Sequence, residues 1–183
     1  MPESVFVEDR DLYRAIGRVA SESALMDELL RELICEVSGV DELFWVLLQG
    51  QSSEWLSDTC KAILEQRDPY FRVWPENHHV KVLELLDELS RYRVIRNAVI
   101  HGVWYPYDPF GGEGLSPRPW GAKDDGSPVY YCLRSRYRKL DEVREISVGD
   151  VEVLADKIAD IQKRMVSQFR AMGHSATFMR WGY

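Results

Sequence analysis

A short segment near the middle of the chain combines the side chains that phosphate chemistry needs. Arg93, Asn97 and His101 follow one another at intervals of four, with Arg96 beside them and Trp104 three residues further on. On an α-helix this spacing places them along one face, because the helix turns by about 100° per residue. A guanidinium offers several donors to phosphate oxygens, and an imidazole can transfer protons near neutral pH. The segment therefore predicts a phosphate-binding site with a residue for acid–base catalysis.

Each of these residues also has an ordinary structural interpretation. An arginine on a helix face is most often a solvated charge, and a histidine near a helix C-terminus complements the helix macrodipole. The catalytic interpretation depends on the residues occurring together, at this spacing and late in a long helical pattern. Both interpretations are open at the level of the sequence.

The string RNAVIH at residues 96–101, followed by Gly102 and Trp104, resembles the R-N-x-x-x-H signature of HEPN domains. The resemblance in helix order extends over residues 11–105 and 147–172. HEPN domains are small helical bundles, and many are metal-independent ribonucleases in toxin–antitoxin, phage-defence and RNA-processing systems. The resemblance implies a helical bundle of this type with RNA as its substrate.

The same resemblance implies roles for individual residues. His101 would assist the 2′-hydroxyl of RNA in attacking the neighbouring phosphate, and Arg96 would stabilise the charge that develops on the phosphoryl oxygens. Asn97 would orient the histidine or the phosphate, while Arg93 and Trp104, next to the motif, are expected to bind substrate.

In this family two protomers pair so that their motifs face each other across a cleft. The resemblance therefore implies a homodimer with a composite site, no metal and no cofactor, and an antitoxin protein as partner if the chain is a toxin. The alternative is a non-catalytic HEPN-like module that binds a partner protein or a nucleotide, since many members of the family are catalytically silent.

A second group of basic residues follows in a segment whose composition favours a strand. Tyr130, Arg134, Arg136 and Arg138 alternate to one face of this strand, and no acidic residue occurs between positions 127 and 140. Interleaved arginines and aromatic rings can hold a single-stranded backbone and stack a base. The three arginines are therefore expected to bind substrate, unless they pair with the acidic residues that follow them in the hairpin.

The secondary structure predicted around these residues is mainly helical. Apolar residues recur at intervals of three and four, which predicts a bundle of at least four helices. The resemblance implies that this is a HEPN-like bundle of four to five helices. Ser52 or Ser53 is a candidate N-cap, and Ser147 with Asp150 resembles a capping box in which aspartate replaces glutamate. The predicted helices cover residues 11–38, a short turn at 41–48, 53–66, the motif helix at about 76–104, and 147–173.

The segment at residues 105–146 differs in character from the rest. Residues 105–128 hold five of the chain's eight prolines, which excludes a helix there, and 129–133 favour a strand that could pair with 143–148. We expect a Pro/Gly-rich loop and a small β-hairpin inserted before the last long helix. Residues 174–183 form an apolar tail, and the whole chain of 183 residues is expected to be a single domain.

Composition excludes several classes of protein. The net charge of -7 argues against a protein that coats nucleic acid through bulk electrostatics, so any RNA contact must use local basic groups. Three cysteines without CxxC spacing favour reduced thiols over disulfides or a zinc site, and no cluster with metal-ligand spacing occurs. Without a secretory signal or a long apolar run, the chain is expected in the cytoplasm, away from membranes.

Overall fold

The computed structural model describes residues 5–39, 43–66, 75–104, 121–136 and 139–171. Its elements in chain order are α1 (Val5–Ser38), α2 (Leu43–Leu48), α3 (Ser53–Gln66), α4 (Glu76–His101), β1 (Val103–Trp104), β2 (Gly121–Ala122), β3 (Pro128–Arg136), β4 (Lys139–Ser147) and α5 (Val148–Ala171). The predicted class, mainly α with a small β-hairpin before the last long helix, is confirmed. Most of the predicted Pro/Gly-rich loop and the whole predicted tail lie outside the described residues.

Side-chain caps fix the starts of two helices, as their sequences predict. The Trp55 backbone N–H donates to Ser52 Oγ at 3.2 Å, which identifies Ser52 as the N-cap of α3. At α5 the Ser147 N–H donates to Asp150 Oδ2 at 2.9 Å, and the Asp150 N–H donates to Ser147 Oγ at 3.2 Å. This reciprocal pair is the predicted capping box.

Helix α4 ends at His101, earlier than the predicted end near residue 104. Val103, which falls within the predicted motif helix, instead lies in β1 and is 60% exposed. Pairing with β3 accounts for the difference, because Val103 lies opposite Leu133 and Trp104 lies opposite Cys132. Helix α1 also differs, since it begins at Val5 rather than at residue 11.

The four strands form one antiparallel sheet with β3 at its centre. Strand β4 pairs with β3 from Val129 opposite Ser147 to Arg136 opposite Lys139, so it starts earlier than the predicted partner at 143–148. Strands β1 and β2 each pair with a different part of β3. The register shifts between Arg134 and Arg136, which marks a bulge there.

The contacts within the chain group into two compact units, and α1, α4 and α5 each contribute residues to both. The first unit comprises Met1–Glu22 and Val94–Lys157, and it contains the sheet and the end of α4. Tyr130 is fully buried in this unit, and an ion pair between Arg18 and Asp156 joins α1 to α5. Its other buried apolar side chains include Leu12, Val19, Ala98, Val99, Cys132, Ile146, Val151 and Leu154.

The second unit comprises Ser23–Arg93 and Ile158–Tyr183. Its buried side chains come from every helix of the unit and include Leu30, Leu33, Leu48, Leu56, Cys60, Leu86, Ile161 and Phe169. The Arg31 guanidinium, only 8% exposed, donates to Glu28 Oε1 at 2.7 Å and to the Leu48 carbonyl at 3.2 Å. None of the helices in the described part of the chain is both long and apolar enough to cross a bilayer.

Candidate functional site

The last two turns of α4 separate a buried side from a polar side. Ala98 and Val99 are buried, whereas Arg96 and Asn97 are half-buried and His101 is exposed. Because a helix turns by about 100° per residue, Ala98 and Val99 occupy one side of α4 and the polar residues occupy the adjoining side. The motif residues therefore lie at the boundary between the core and solvent, where a ligand can reach them.

Arg96 and Asn97 interact directly. Arg96 Nη1 donates a hydrogen bond to Asn97 Oδ1 at 3.0 Å. The asparagine amide nitrogen retains its own donors, and the guanidinium carries five N–H groups in total. The pair therefore combines a positive charge with an orienting amide, which suits the binding of a phosphate group.

His101 is the last residue of α4 and its side chain is exposed. A side chain at the end of a helix is near the negative end of the helix macrodipole. The ordinary structural interpretation of His101 and a role in proton transfer are both compatible with this position. His101 differs from an isolated terminal histidine because the Arg96 and Asn97 pair lies about one turn before it on the same helix.

Arg93 lies one turn before Asn97 and is occupied by an ion pair. Its Nη1 lies 2.5 Å from Glu54 Oε1, and both side chains are substantially exposed. An exposed pair of this kind contributes about 0 to 1 kcal/mol, so a phosphate could displace the carboxylate at little cost. Arg93 is thus available to substrate only by exchange of partners.

The end of α4 is attached to the sheet by side-chain donors. The Trp104 indole N–H donates to the Val99 carbonyl at 3.2 Å, and the Cys132 thiol donates to the Ala98 carbonyl at 3.1 Å. Trp104 was expected to bind substrate; the structure shows it half-buried, with its N–H committed to the helix.

The basic strand does not present the aromatic face that its alternation predicts. Tyr130, expected to share an accessible face with the arginines, is 0% exposed, because that face of β3 is directed into the core at Tyr130 and Cys132. The bulge between Arg134 and Arg136 also interrupts the alternation on which the predicted row of arginines depends. Arg138 lies outside the described residues, so the role of the three arginines stays a prediction.

Three residues near the motif helix have positions or contacts that only the structure reveals. Cys132, which the sequence identifies only as a reduced thiol, contacts the end of α4 through its sulfur. Gly102 is in close contact with the same thiol, and Arg144 lies directly opposite Cys132 on β4. The strand register places Trp104, Cys132 and Arg144 in one row across the sheet. The sequence could predict this row only if the pairing of the three strands were known.

Two of the protein's three thiols lie in buried surroundings. All three cysteines are free, and Cys60 and Cys132 are buried. Burial raises the pKa of the Cys132 thiol to about 11, although the positive charge of Arg144 acts to lower it. Burial also raises the pKa of the Cys60 thiol. Within the described ranges, no group of three or more His, Cys, Asp or Glu side chains is arranged to hold a metal ion.

Comparisons of the chain with protein-family models, with curated proteins and with solved structures found no match.

Proposed function

We propose that this protein is a metal-independent endoribonuclease of the HEPN type, with Arg96, Asn97 and His101 as its catalytic residues. One observation carries the proposal: the final turns of α4 hold a hydrogen-bonded Arg96 and Asn97 pair, with an exposed His101 at the helix end. These are the residue types that in-line attack on a phosphodiester requires, namely an anion-stabilising cation and a proton acceptor.

The proposed reaction is a transesterification within the RNA strand. His101 accepts the proton of the 2′-hydroxyl as its oxygen bonds to the adjacent phosphorus. The bond from phosphorus to the 5′ oxygen breaks, and that oxygen must receive a proton as it leaves. Arg96 stabilises the charge on the non-bridging oxygens, and Asn97 holds the guanidinium in position through its carbonyl. The products are a cyclic phosphate and a free 5′-hydroxyl.

A composite site formed by two copies of the chain supplies the second proton transfer. Of the other histidines in the described residues, His78 and His79 lie in the first turn of α4, roughly 33 Å of helix from His101. Neither can protonate the leaving group at a site next to His101. A second copy of the motif, facing the first across a cleft, would provide the missing acid, so a homodimer is part of the proposal.

The biological setting that the proposal favours is a toxin or defence ribonuclease, controlled by an antitoxin protein. The free thiols fit a reducing compartment such as the cytoplasm, where RNA is also present. Arg93 and Glu54 form an exposed ion pair. Arg93 would join the RNA contacts by exchanging this carboxylate for a phosphate.

The test is incubation of the purified protein with total RNA in excess EDTA. His101→Ala and Arg96→Ala should abolish cleavage, and matched controls on the same helix, His78→Ala and Arg91→Ala, should cleave as the wild type does. Circular dichroism must show that all variants are folded. Equal cleavage by His101→Ala and His78→Ala would refute the assignment, and a strictly monomeric active protein in light scattering would refute the composite site.

A non-catalytic module that binds a partner protein is the second candidate, and one observation favours it. Val46, Leu47 and Trp55, on α2 and the start of α3, are 69%, 61% and 43% exposed, which is unusual for large apolar side chains. Expression in a bacterial host discriminates between the two functions. Toxicity relieved by His101→Ala supports the ribonuclease, whereas harmless overexpression without RNA loss supports the module.

A further inference from the structure

The C-terminal turn of α4 is held by donors that come from outside the helix. The last carbonyl groups of any helix lack partners within it. Here the Ala98 carbonyl accepts the Gly102 N–H at 2.8 Å and also the Cys132 thiol at 3.1 Å. The Val99 carbonyl accepts the Trp104 indole N–H at 3.2 Å. Two carbonyls of the turn that ends at His101 are therefore fixed by side chains of the sheet.

Cys132 is suited to this role by its surroundings. It is 0% exposed, at the middle of β3, between Trp104 on β1 and Arg144 on β4. Because burial raises the pKa of its thiol to about 11, the sulfur keeps its proton at neutral pH and has one to donate. A thiol is a weak donor, but in a buried place no water competes with it.

Gly102 makes this contact possible. A Cβ atom built on Gly102 would lie less than 3.0 Å from both the Ala98 carbonyl oxygen and Cys132 Sγ, closer than real side chains approach. The residue that follows His101 is therefore packed directly against the sulfur. Any displacement of Cys132 is transmitted to the backbone beside His101 without an intervening side chain.

We propose that Cys132 is a positioning residue that, together with Trp104, fixes the last turn of α4 and so holds His101 in place relative to Arg96. The proposal rests on the ribonuclease function for its catalytic consequence. Its structural half, that the thiol anchors the turn, is independent of any activity. The two halves can be tested on the same variants.

The variants are Cys132→Ala, which removes the donor, and Cys132→Ser, which retains one of similar size. Trp104→Phe keeps an aromatic ring but removes the N–H that binds Val99. The matched control is Cys60→Ala, since Cys60 is also a buried cysteine with its sulfur near a helix carbonyl, that of Leu30 at 3.5 Å, but in the other unit.

The first measurement is amide hydrogen exchange of Gly102 by NMR, without RNA. Loss of the thiol donor should speed exchange about 10-fold in Cys132→Ala, with serine restoring most of the protection and Cys60→Ala matching the wild type. Trp104→Phe should also speed exchange in this turn, which keeps the test open if Cys132→Ala does not fold. Equal Gly102 exchange in Cys132→Ala and Cys60→Ala, or no change in Trp104→Phe, would overturn the anchoring role.

The second measurement is the kinetics of RNA cleavage. Misplacement of His101 should lower kcat about 10-fold in Cys132→Ala while KM changes less than about twofold, and Cys132→Ser should recover most of the rate. An unchanged kcat with altered Gly102 exchange would overturn the catalytic consequence. If the wild type cleaves no RNA while exchange responds as expected, the anchor stands and the proposed function fails, so the two failures are distinguishable.

Discussion

Replacing Gly102 with alanine should destabilise the protein, although the same change in an ordinary helical position is stabilising. The added methyl group would lie less than 3.0 Å from the Ala98 carbonyl oxygen and from Cys132 Sγ, and 3.3 Å from the Ala98 carbonyl carbon. Two of these three atoms belong to the backbone of α4, which cannot move without disturbing the last turn. The clash must therefore be relieved by shifting the helix end away from the sheet.

The size of the effect follows from two opposing contributions. Overpacking a closely packed site costs about 1 to 3 kcal/mol. Reduced freedom of the unfolded chain returns about 0.4 to 1 kcal/mol when glycine becomes alanine. The net loss of unfolding free energy then lies between about 0 and 2.6 kcal/mol, with a central value of about 1.3 kcal/mol. With an m-value of about 2 kcal/mol per molar urea, the central value lowers the midpoint by about 0.6 M.

Gly17→Ala is the matched control for this substitution. Gly17 lies within α1 in the same unit, its surface is exposed, and a Cβ there meets nothing within 4 Å. It should stabilise the protein by about 0.5 to 1 kcal/mol, since glycine inside a helix is unfavourable by that amount. Urea unfolding followed by circular dichroism measures both variants. A Gly102→Ala protein as stable as Gly17→Ala would refute the close packing of the helix end.

Three further predictions concern the helix caps and the thiols. Ser52→Ala should lower the unfolding free energy by about 1 kcal/mol in urea titrations, because α3 loses its N-cap. Burial alone would raise the pKa of Asp150, but hydrogen bonds from a lysine and from the capping serine outweigh it and lower that pKa. Its stabilising effect is thus present above about pH 4 and lost as pH falls through the lowered value, so Asp150→Asn should be destabilising at pH 7, and this destabilisation should shrink progressively below about pH 4 in thermal unfolding. With Ellman's reagent, half-buried Cys35 should react first in the native protein, and its rate should rise with pH because burial and two neighbouring carboxylates raise its pKa. Cys60 and Cys132 should react only in denaturant, because both are buried. Equal rates for all three thiols would contradict this difference in burial.

The helical part of the fold follows from local features that a sequence displays. Ser52 and the pair of Ser147 and Asp150 carry their capping function in their own side chains, within three residues of the groups they bind. Buried positions such as Val82, Leu85 and Leu86 recur at intervals of three and four, so the core side of α4 was predictable. Short-range chemistry of this kind does not depend on the rest of the fold.

The remaining features depend on pairings between distant segments. Val103 continues the helical pattern in sequence, but pairing of β1 with β3 takes it into a strand. Tyr130 was expected to be accessible because alternation defines two faces of a strand without showing which one is buried. The contact of Cys132 with the Ala98 carbonyl joins residues 34 positions apart, and no local signal predicts it.

The most direct test of the proposed chemistry compares an RNA oligonucleotide that the protein cuts once with the same strand carrying a deoxynucleotide 5′ to the scissile phosphate, both in excess EDTA. The wild type should cut only the all-RNA strand and leave a cyclic phosphate, and His101→Ala should lose this activity. Cleavage of the deoxy-substituted strand at the same bond, or undiminished cleavage of the all-RNA strand by His101→Ala, would contradict the proposed chemistry.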